Sequence, residues 1–148
     1  MRAFAFLLLM FSWLKPNAQT NSRAYKIMLE SMYKHTVPTV SCNDLKKELK
    51  NVVLLDTRAK NEYDVSHLPE ARWVGYDEFN PKSVADLPKN TQIVVYCTVG
   101  VRSERVGEKL KAVGFQNVRN LYGSIFEWVN QGNAVVDNQG KPTPKVHA

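Results

Sequence analysis

Apolar residues along the chain fall into two patterns, continuous short runs and helical spacings. Continuous runs occur at 52–55 and 93–96, as in parallel strands that helices cover on both faces, and the last parallel strand is predicted at 118–121. Helical spacings occur at 21–35 and 103–113, where apolar residues recur every three or four positions. This alternation predicts an α/β fold, with a mostly parallel sheet between helices.

Shorter elements join these segments. Pro38 lies in an extended segment and cannot donate to a central ladder, so we predict an edge strand at 37–40. Ser41 and Asp44 form a capping signal for a helix that reaches about Lys50. Further elements are predicted at 60–64 (helix), 71–74 (strand) and between Gly123 and Gly132 (helix).

The first eighteen residues differ in kind from the rest. Arg2 supplies a basic start, residues 3–14 form an apolar run, and Ala18 is a small residue at the end of the segment. The run is shorter than the roughly twenty apolar residues that span a bilayer. We therefore predict a signal peptide at 1–18 and an exported protein, periplasmic or secreted, without a stable membrane anchor after cleavage. Retention of the segment as an anchor is the alternative.

Length and composition predict how the rest of the chain is divided. An apolar content of 44% in 148 residues suits one compact domain and a monomer. Residues 19–36 are predicted to be a helical extension that packs against a domain at 37–136. Residues 137–148 contain prolines and glycine with little periodicity, so we predict a loose tail.

The charge of the chain argues against one class of partner. Removing residues 1–18 takes away Arg2 and Lys15, which lowers the net charge from +6 to +4. The lysines are scattered and form no basic run, so nucleic-acid binding is not predicted. A small positive balance favours the encounter with anionic substrates.

The candidate chemistry lies where the second apolar run ends. Residues 93–96 lead into Cys97, then a loop with Gly100 and Arg102, then a helix predicted to start at Ser103. Cys97 is thus placed at the carboxyl end of a strand, facing loop N–H groups and the positive end of a helix. Such surroundings lower the pKa of a cysteine thiol, and the thiolate is the nucleophile.

At these residues the chain resembles the rhodanese-like sulfurtransferases, whose active loop reads C-x-x-G-x-R in many members. The resemblance covers roughly residues 40–136 and includes four collinear blocks. They are Leu54-Leu55-Asp56-Thr57-Arg58 with Glu62-Tyr63, His67-Leu68-Pro69 with Ala71, the Cys97 loop, and Asn120-Leu121-Tyr122-Gly123-Ser124-Ile125 with Trp128. It implies a three-layer rhodanese-like domain with a sheet of about five strands between helices.

The resemblance also implies a two-step transfer of a sulfane sulfur. A thiolate at Cys97 takes the outer sulfur from a small anionic donor, thiosulfate or a persulfide, and passes it to a thiol or cyanide. The loop would hold the anion through its N–H groups, without a metal or another cofactor. The loop residues are Thr98, Val99, Gly100, Val101 and Arg102.

Two charged residues are predicted to support the loop. Asp56 and Arg58 leave their strand at the same sheet edge as Cys97, where ligands bind in open α/β sheets. Asp56 is either a capping carboxylate or a participant in catalysis, and Arg58 is expected to pair with an acid such as Glu62. Arg102 either binds the donor or braces the loop through an acceptor such as Asp56.

Two other functions remain open. Phosphatases and arsenate reductases also place a cysteine and an arginine in a loop before a helix, but their loops have five intervening residues, whereas four separate Cys97 from Arg102. A non-catalytic rhodanese-like interaction module is the second alternative, although such modules often lack the cysteine. The only other cysteine, Cys42, is predicted to be a buried spectator without a disulfide to Cys97.

Overall fold

A five-stranded sheet forms the centre of the computed structural model, which describes residues 23–146. The strand order is β1-β5-β4-β2-β3, and every neighbouring pair is parallel. The strands are β1 (Thr39–Val40), β2 (Val53–Asp56), β3 (Arg72–Trp73), β4 (Gln92–Tyr96) and β5 (Asn117–Leu121). The helices are α1 (Arg23–Met32), α2 (Cys42–Glu48), α3 (Lys60–Val65), α4 (Val101–Ala112) and α5 (Ser124–Asn130), with short 3-10 helices at Leu49–Asn51 and Pro81–Val84.

Side chains of the central strand alternate between two hydrophobic cores. Ile93 and Val95 pack on the face that α4 covers, together with Leu110. Val94 and Tyr96 pack on the opposite face, which α2 and α5 cover. A strand buried on both faces reads as a continuous apolar run, which is why β4 was recognisable in the sequence. The predicted α/β fold, with a parallel five-stranded sheet between helices, is confirmed.

The helix after Cys97 begins earlier than the sequence pattern predicts. It starts at Val101, not Ser103, because Gly100 caps it with a left-handed φ of 110°. A residue with a side chain adopts that conformation only with strain, so glycine determines where the loop ends. Arg102 consequently lies in the first turn of α4.

The carboxyl-terminal segment also differs from its predicted structure. Residues 137–148 were expected to form a loose tail, yet β6 (Val135–Val136) and β7 (Pro142–Thr143) pair as an antiparallel hairpin. Val135 is 3% exposed in the core, and the backbones of Val136 and His67 exchange two hydrogen bonds of 2.9 Å. Burial of Val135 and Val136 and pairing with the turn at His67 hold a segment whose composition resembles a linker.

The amino-terminal extension packs on the domain through one side of α1. Leu29 is fully buried and Tyr33, just beyond the helix, is nearly so. The predicted signal peptide at 1–18 lies outside the described residues. Within residues 23–146, no helix combines the length and the apolar character needed to cross a membrane.

Candidate active site

Cys97 lies directly after β4, and its backbone is tied to the start of α5. The Cys97 N–H donates to Ser124 Oγ at 3.1 Å. The carbonyl oxygens of Cys97 and Thr98 accept from the N–H groups of Ile125 and Phe126, both at 3.2 Å. These carbonyls are thereby engaged by α5, and the loop is held at the carboxyl edge of the sheet. The side chain is deeply buried, with 1% of the residue exposed.

Gly100 and Ser103 provide polar groups close to the sulfur atom. The Gly100 N–H donates to Cys97 Sγ at 3.1 Å, and Ser103 Oγ lies 3.5 Å from it. Ser103 Oγ donates to Asn120 Oδ1 at 2.7 Å, and Asn120 Nδ2 donates to the Gly100 carbonyl at 2.8 Å. Asn120 therefore ties both ends of this small network to β5.

The sequence led us to expect several backbone N–H groups around the sulfur. At the resting sulfur only Gly100 donates from the backbone, within the part of the chain that the structure describes. The N–H groups of Thr98, Val99, Val101 and Arg102 make no hydrogen bond to the described residues, as is usual at a helix start. These four N–H groups belong to the two residues on either side of Gly100.

Arg102 braces the loop through Glu62. Its guanidinium donates to the two Glu62 carboxylate oxygens at 3.0 and 3.1 Å and to Thr98 Oγ1 at 2.9 Å. Burial is the largest single influence on Glu62 and opposes its ionisation, but the hydrogen bonds from Arg102 and the Ala59 N–H, together with the charges of Arg102 and Arg58, lower its pKa. The bond to Glu62 likewise raises the pKa of Arg102. Of the two roles predicted for Arg102 the structure has the brace, with Glu62 in place of Asp56.

Asp56 and Arg58 form a fully buried ion pair. Arg58 Nε donates to both Asp56 oxygens at 3.0 and 3.1 Å, and Nη2 donates to Oδ2 at 2.6 Å. The Arg58 N–H also donates to Oδ1, so Asp56 is a capping carboxylate. The prediction that Arg58 pairs with an acid is confirmed, and the acid in this buried pair is Asp56, two residues earlier in the chain. Arg58 stacks near Tyr96, at 5.9 Å from the ring centroid, and so supports the residue before Cys97.

A segment outside the predicted domain also reaches the loop. The Tyr33 hydroxyl contacts the Val99 carbonyl, and the Lys34 and Thr36 N–H groups donate to the Glu104 carboxylate at 2.9 and 3.0 Å. Sequence reasoning did not identify these contacts. Tyr33 continues the apolar spacing of α1 four residues after Leu29, which indicates burial but not its partner.

Cys42 occupies a different environment, at the first position of α2. It is 1% exposed in an apolar core with Leu45, Ile125 and Trp128. Burial raises the pKa of the Cys42 thiol to about 12. Both cysteines are free, which confirms the prediction that they form no disulfide.

Comparisons with known proteins agree with this geometry. A family model described as a rhodanese-like domain matches residues 41–131. Among solved structures, a rhodanese-related protein from Thermoplasma volcanium has a TM-score of 0.61 and 24% identity, covering 67% of this chain and 97% of that one. A human single-domain sulfurtransferase has a TM-score of 0.57 and 22% identity, covering 64% and 96%. At these identities the structures show a shared fold.

Two curated relatives match over the same region. The chain is 32% identical over 78 residues to "Adenylyltransferase and sulfurtransferase uba4" of Ogataea parapolymorpha, covering 53% of this chain and 20% of that protein. It is 34% identical over 102 residues to a tRNA uridine(34) hydroxylase of Buchnera aphidicola, covering 64% and 33%. The chain thus spans a third or less of either relative. The family match, the shared sheet and the Cys97 loop together show that this chain belongs to the rhodanese-like domain family.

Proposed function

We propose that this protein is a sulfurtransferase that carries a sulfane sulfur as a Cys97 persulfide. The observation that carries the proposal is the geometry at Cys97: one N–H group already donates to the sulfur at 3.1 Å, and four nearby N–H groups make no hydrogen bond to the described residues. Preorganised donors of this kind stabilise charge where it develops during a reaction, and removing one typically costs a factor of about 10² to 10³ in rate.

The proposed reaction has two balanced steps. The Cys97 thiolate attacks the outer sulfur of the donor, a new S–S bond forms, and the bond within the donor breaks. The donor leaves with the electron pair, as sulfite from thiosulfate or as a thiolate from a persulfide. An acceptor thiolate or cyanide then attacks the outer sulfur and leaves as a persulfide or as thiocyanate, and Cys97 returns to the thiolate.

Arg102 bears on the choice between sulfur and phosphate chemistry. A phosphatase needs its loop arginine to bind a tetrahedral oxyanion, whereas Arg102 already makes three hydrogen bonds to Glu62 and Thr98. The relative from Ogataea parapolymorpha is also named as a sulfurtransferase. Both points favour sulfur transfer over the phosphatase or arsenate reductase alternative.

Intact mass spectrometry tests the proposal. The purified protein, Cys97→Ser and Cys42→Ser are each incubated with thiosulfate or with glutathione persulfide. We expect one added sulfur on the first and third proteins, none on Cys97→Ser, and loss of the added sulfur when cyanide or a thiol is supplied. Absence of any adduct with both donors, or efficient hydrolysis of an aryl phosphate, would overturn the proposal.

We also propose that the mature protein is an exported monomer. The basic start and the apolar run of residues 1–18 support export. Amino-terminal sequencing of the protein from a periplasmic or secreted fraction tests this, and a first residue near Gln19 is expected. An intact Met1 in the cytoplasmic fraction would contradict it.

A further inference from the structure

Tyr33 connects two segments that meet at the active loop. It lies beyond α1 and outside the residues that the family model matches, and only 6% of it is exposed. The Gly123 N–H lies 3.0 Å from the Tyr33 hydroxyl oxygen, and the Val99 carbonyl lies 2.5 Å from it on the other side.

The direction of these hydrogen bonds follows from their partners. An N–H can only donate and a carbonyl can only accept, so the single phenol proton is directed at Val99 O. That carbonyl shares one planar peptide unit with the Gly100 N–H, which donates to Cys97 Sγ at 3.1 Å. A continuous hydrogen-bonded chain therefore runs from Gly123 through Tyr33 and the Val99–Gly100 peptide to the sulfur.

Packing restrains the same peptide. A Cβ atom at Gly100 would lie 2.2 Å from the Tyr33 hydroxyl oxygen, so the phenol rests directly against the glycine. Contacts on two sides hold the segment 33–36 in place. The Tyr122 and Tyr33 rings meet edge to face with centroids 5.7 Å apart, and the N–H groups of Lys34 and Thr36 donate to the Glu104 carboxylate of α4. The peptide thus has little freedom to rotate its N–H away from the sulfur.

We propose that Tyr33 is a positioning residue for sulfur transfer, whose hydroxyl orients and polarises the Val99–Gly100 peptide so that its N–H stabilises negative charge on the Cys97 sulfur. Hydrogen bonds in a chain strengthen one another by roughly 10–30% per bond. Burial raises the pKa of Tyr33, so the phenol keeps its proton where thiols titrate. The inference rests on the proposed sulfur transfer.

Charged groups that face the loop are the same with and without the phenol. Arg102 is the cation close enough to Cys97 for the sulfur to contribute to its raised pKa, although Glu62 is the larger cause. Glu62, which lies in α3, forms an ion pair with Arg102. Glu104 faces the Tyr33 segment from α4, where it accepts from two N–H groups. A substitution that removes only the Tyr33 hydroxyl leaves these groups in place.

The test is a comparison of Tyr33→Phe with Tyr122→Phe. Both remove one hydroxyl from the same aromatic pair, but only the first breaks the chain to the sulfur. Thiolate formation is followed by ultraviolet absorbance against pH, with Cys97→Ser as the blank. For Tyr33→Phe we expect the midpoint to rise by roughly 0.5 to 1 pH unit and sulfur loading at neutral pH to slow by about three- to tenfold. Tyr122→Phe should change neither.

Unchanged titration in Tyr33→Phe, or an equal shift in both variants, would overturn the inference. The absorbance readout does not depend on any donor, so failure of the sulfur-transfer proposal appears separately, as absence of the mass adduct in the unmodified protein. If Tyr33→Phe does not fold, 3-fluorotyrosine at position 33 decides, since a more acidic phenol is a stronger donor. The midpoint should then fall, and an unchanged midpoint would contradict the proposal.

Discussion

Cys42 and Cys97 are equally buried, and both lie near the start of a helix, yet their surroundings are opposite. Cys42 is the first residue of α2 and packs among apolar side chains, and burial raises the pKa of its thiol to about 12. Cys97 precedes a loop that directs the Gly100 N–H at its sulfur. The comparison teaches that a helix start does not by itself activate a thiol, because the groups next to the sulfur decide.

The supporting layers of the two cysteines differ in the same way. Around Cys42 the neighbours are leucine, isoleucine and tryptophan side chains. Around the Cys97 loop two ion pairs, Asp56–Arg58 and Glu62–Arg102, hold the backbone. Apolar packing surrounds Cys42, whereas two ion pairs hold the backbone around Cys97.

Replacing each sulfur should give the largest contrast. Cys97→Ser is expected to lower thiosulfate:cyanide sulfur transfer by at least about three orders of magnitude, because a serine hydroxyl does not ionise usefully at neutral pH. Cys42→Ser, the matched change in the apolar environment, should keep the activity per folded molecule. Steady-state thiocyanate formation measures both, and residual transfer by Cys97→Ser would show that the nucleophile lies elsewhere.

Breaking the buried ion pair should be the next largest effect. Asp56→Ala leaves the Arg58 guanidinium buried without its carboxylate, so we expect the free energy of unfolding to fall by about 3–5 kcal/mol. Asp44→Ala removes the same side chain from an exposed pair with Lys47 and is the control, with a much smaller expected loss because solvent screens the pair. Urea unfolding followed by circular dichroism measures the difference. Equal losses in the two variants would mean that the buried pair does not support the loop.

A smaller effect, dependent on pH, is expected at Glu62. Its pKa is lowered in the folded protein, so its ionised form stabilises the fold fully above its unfolded value of about 4.3, and this contribution is lost as the pH falls through the folded pKa. Glu62→Gln should cost about 1 kcal/mol at neutral pH and progressively less in acid. Urea midpoints across this pH range measure it.

Glu48→Gln, in the pair with Arg119, is the matched control for Glu62 because that pair lies away from Thr98 and the loop. It should leave sulfur loading from thiosulfate unchanged, whereas Glu62→Gln should alter the loading rate several-fold by loosening Arg102. If both variants load sulfur at the rate of the unmodified protein, Arg102 does not brace the active loop.

The smallest expected effect concerns the Cys42 thiol at alkaline pH. Its folded pKa is raised, so it favours the folded state fully below the unfolded value of about 8.5, and this contribution is lost as the pH rises from there toward about 12. Cys42→Ala should therefore lose less stability between neutral and alkaline pH than the unmodified protein. Thermal melting at a series of pH values measures this, and parallel declines would contradict the assignment of a raised pKa.

Thiol counting sharpens the comparison in the native protein. A small aromatic disulfide reagent should find one reactive thiol, Cys97, before denaturation and two afterwards. A native count of zero would show that burial of Cys97 excludes the reagent in the same way as burial of Cys42.

The sequence by itself determined the parallel sheet, the order of elements along the chain and the candidate nucleophile, Cys97. Continuous apolar runs identified β2 and β4, because strands covered on both faces have no polar side to obscure the pattern. Cys97, Gly100 and Arg102 were recognisable because their chemistry depends on spacing within one short loop. Such features are local, and local features are readable from neighbouring residues.

Only the tertiary structure decided which distant groups complete the site. Glu62 and not Asp56 receives Arg102, Asn120 holds Ser103, and Tyr33 reaches the loop from outside the matched domain. The carboxyl-terminal hairpin could not be predicted from the sequence either, since it is held by pairing between Val136 and His67. These contacts join residues that are far apart in the chain. The position of each strand end in the sheet decides which residues meet, and no local pattern of residues encodes that position.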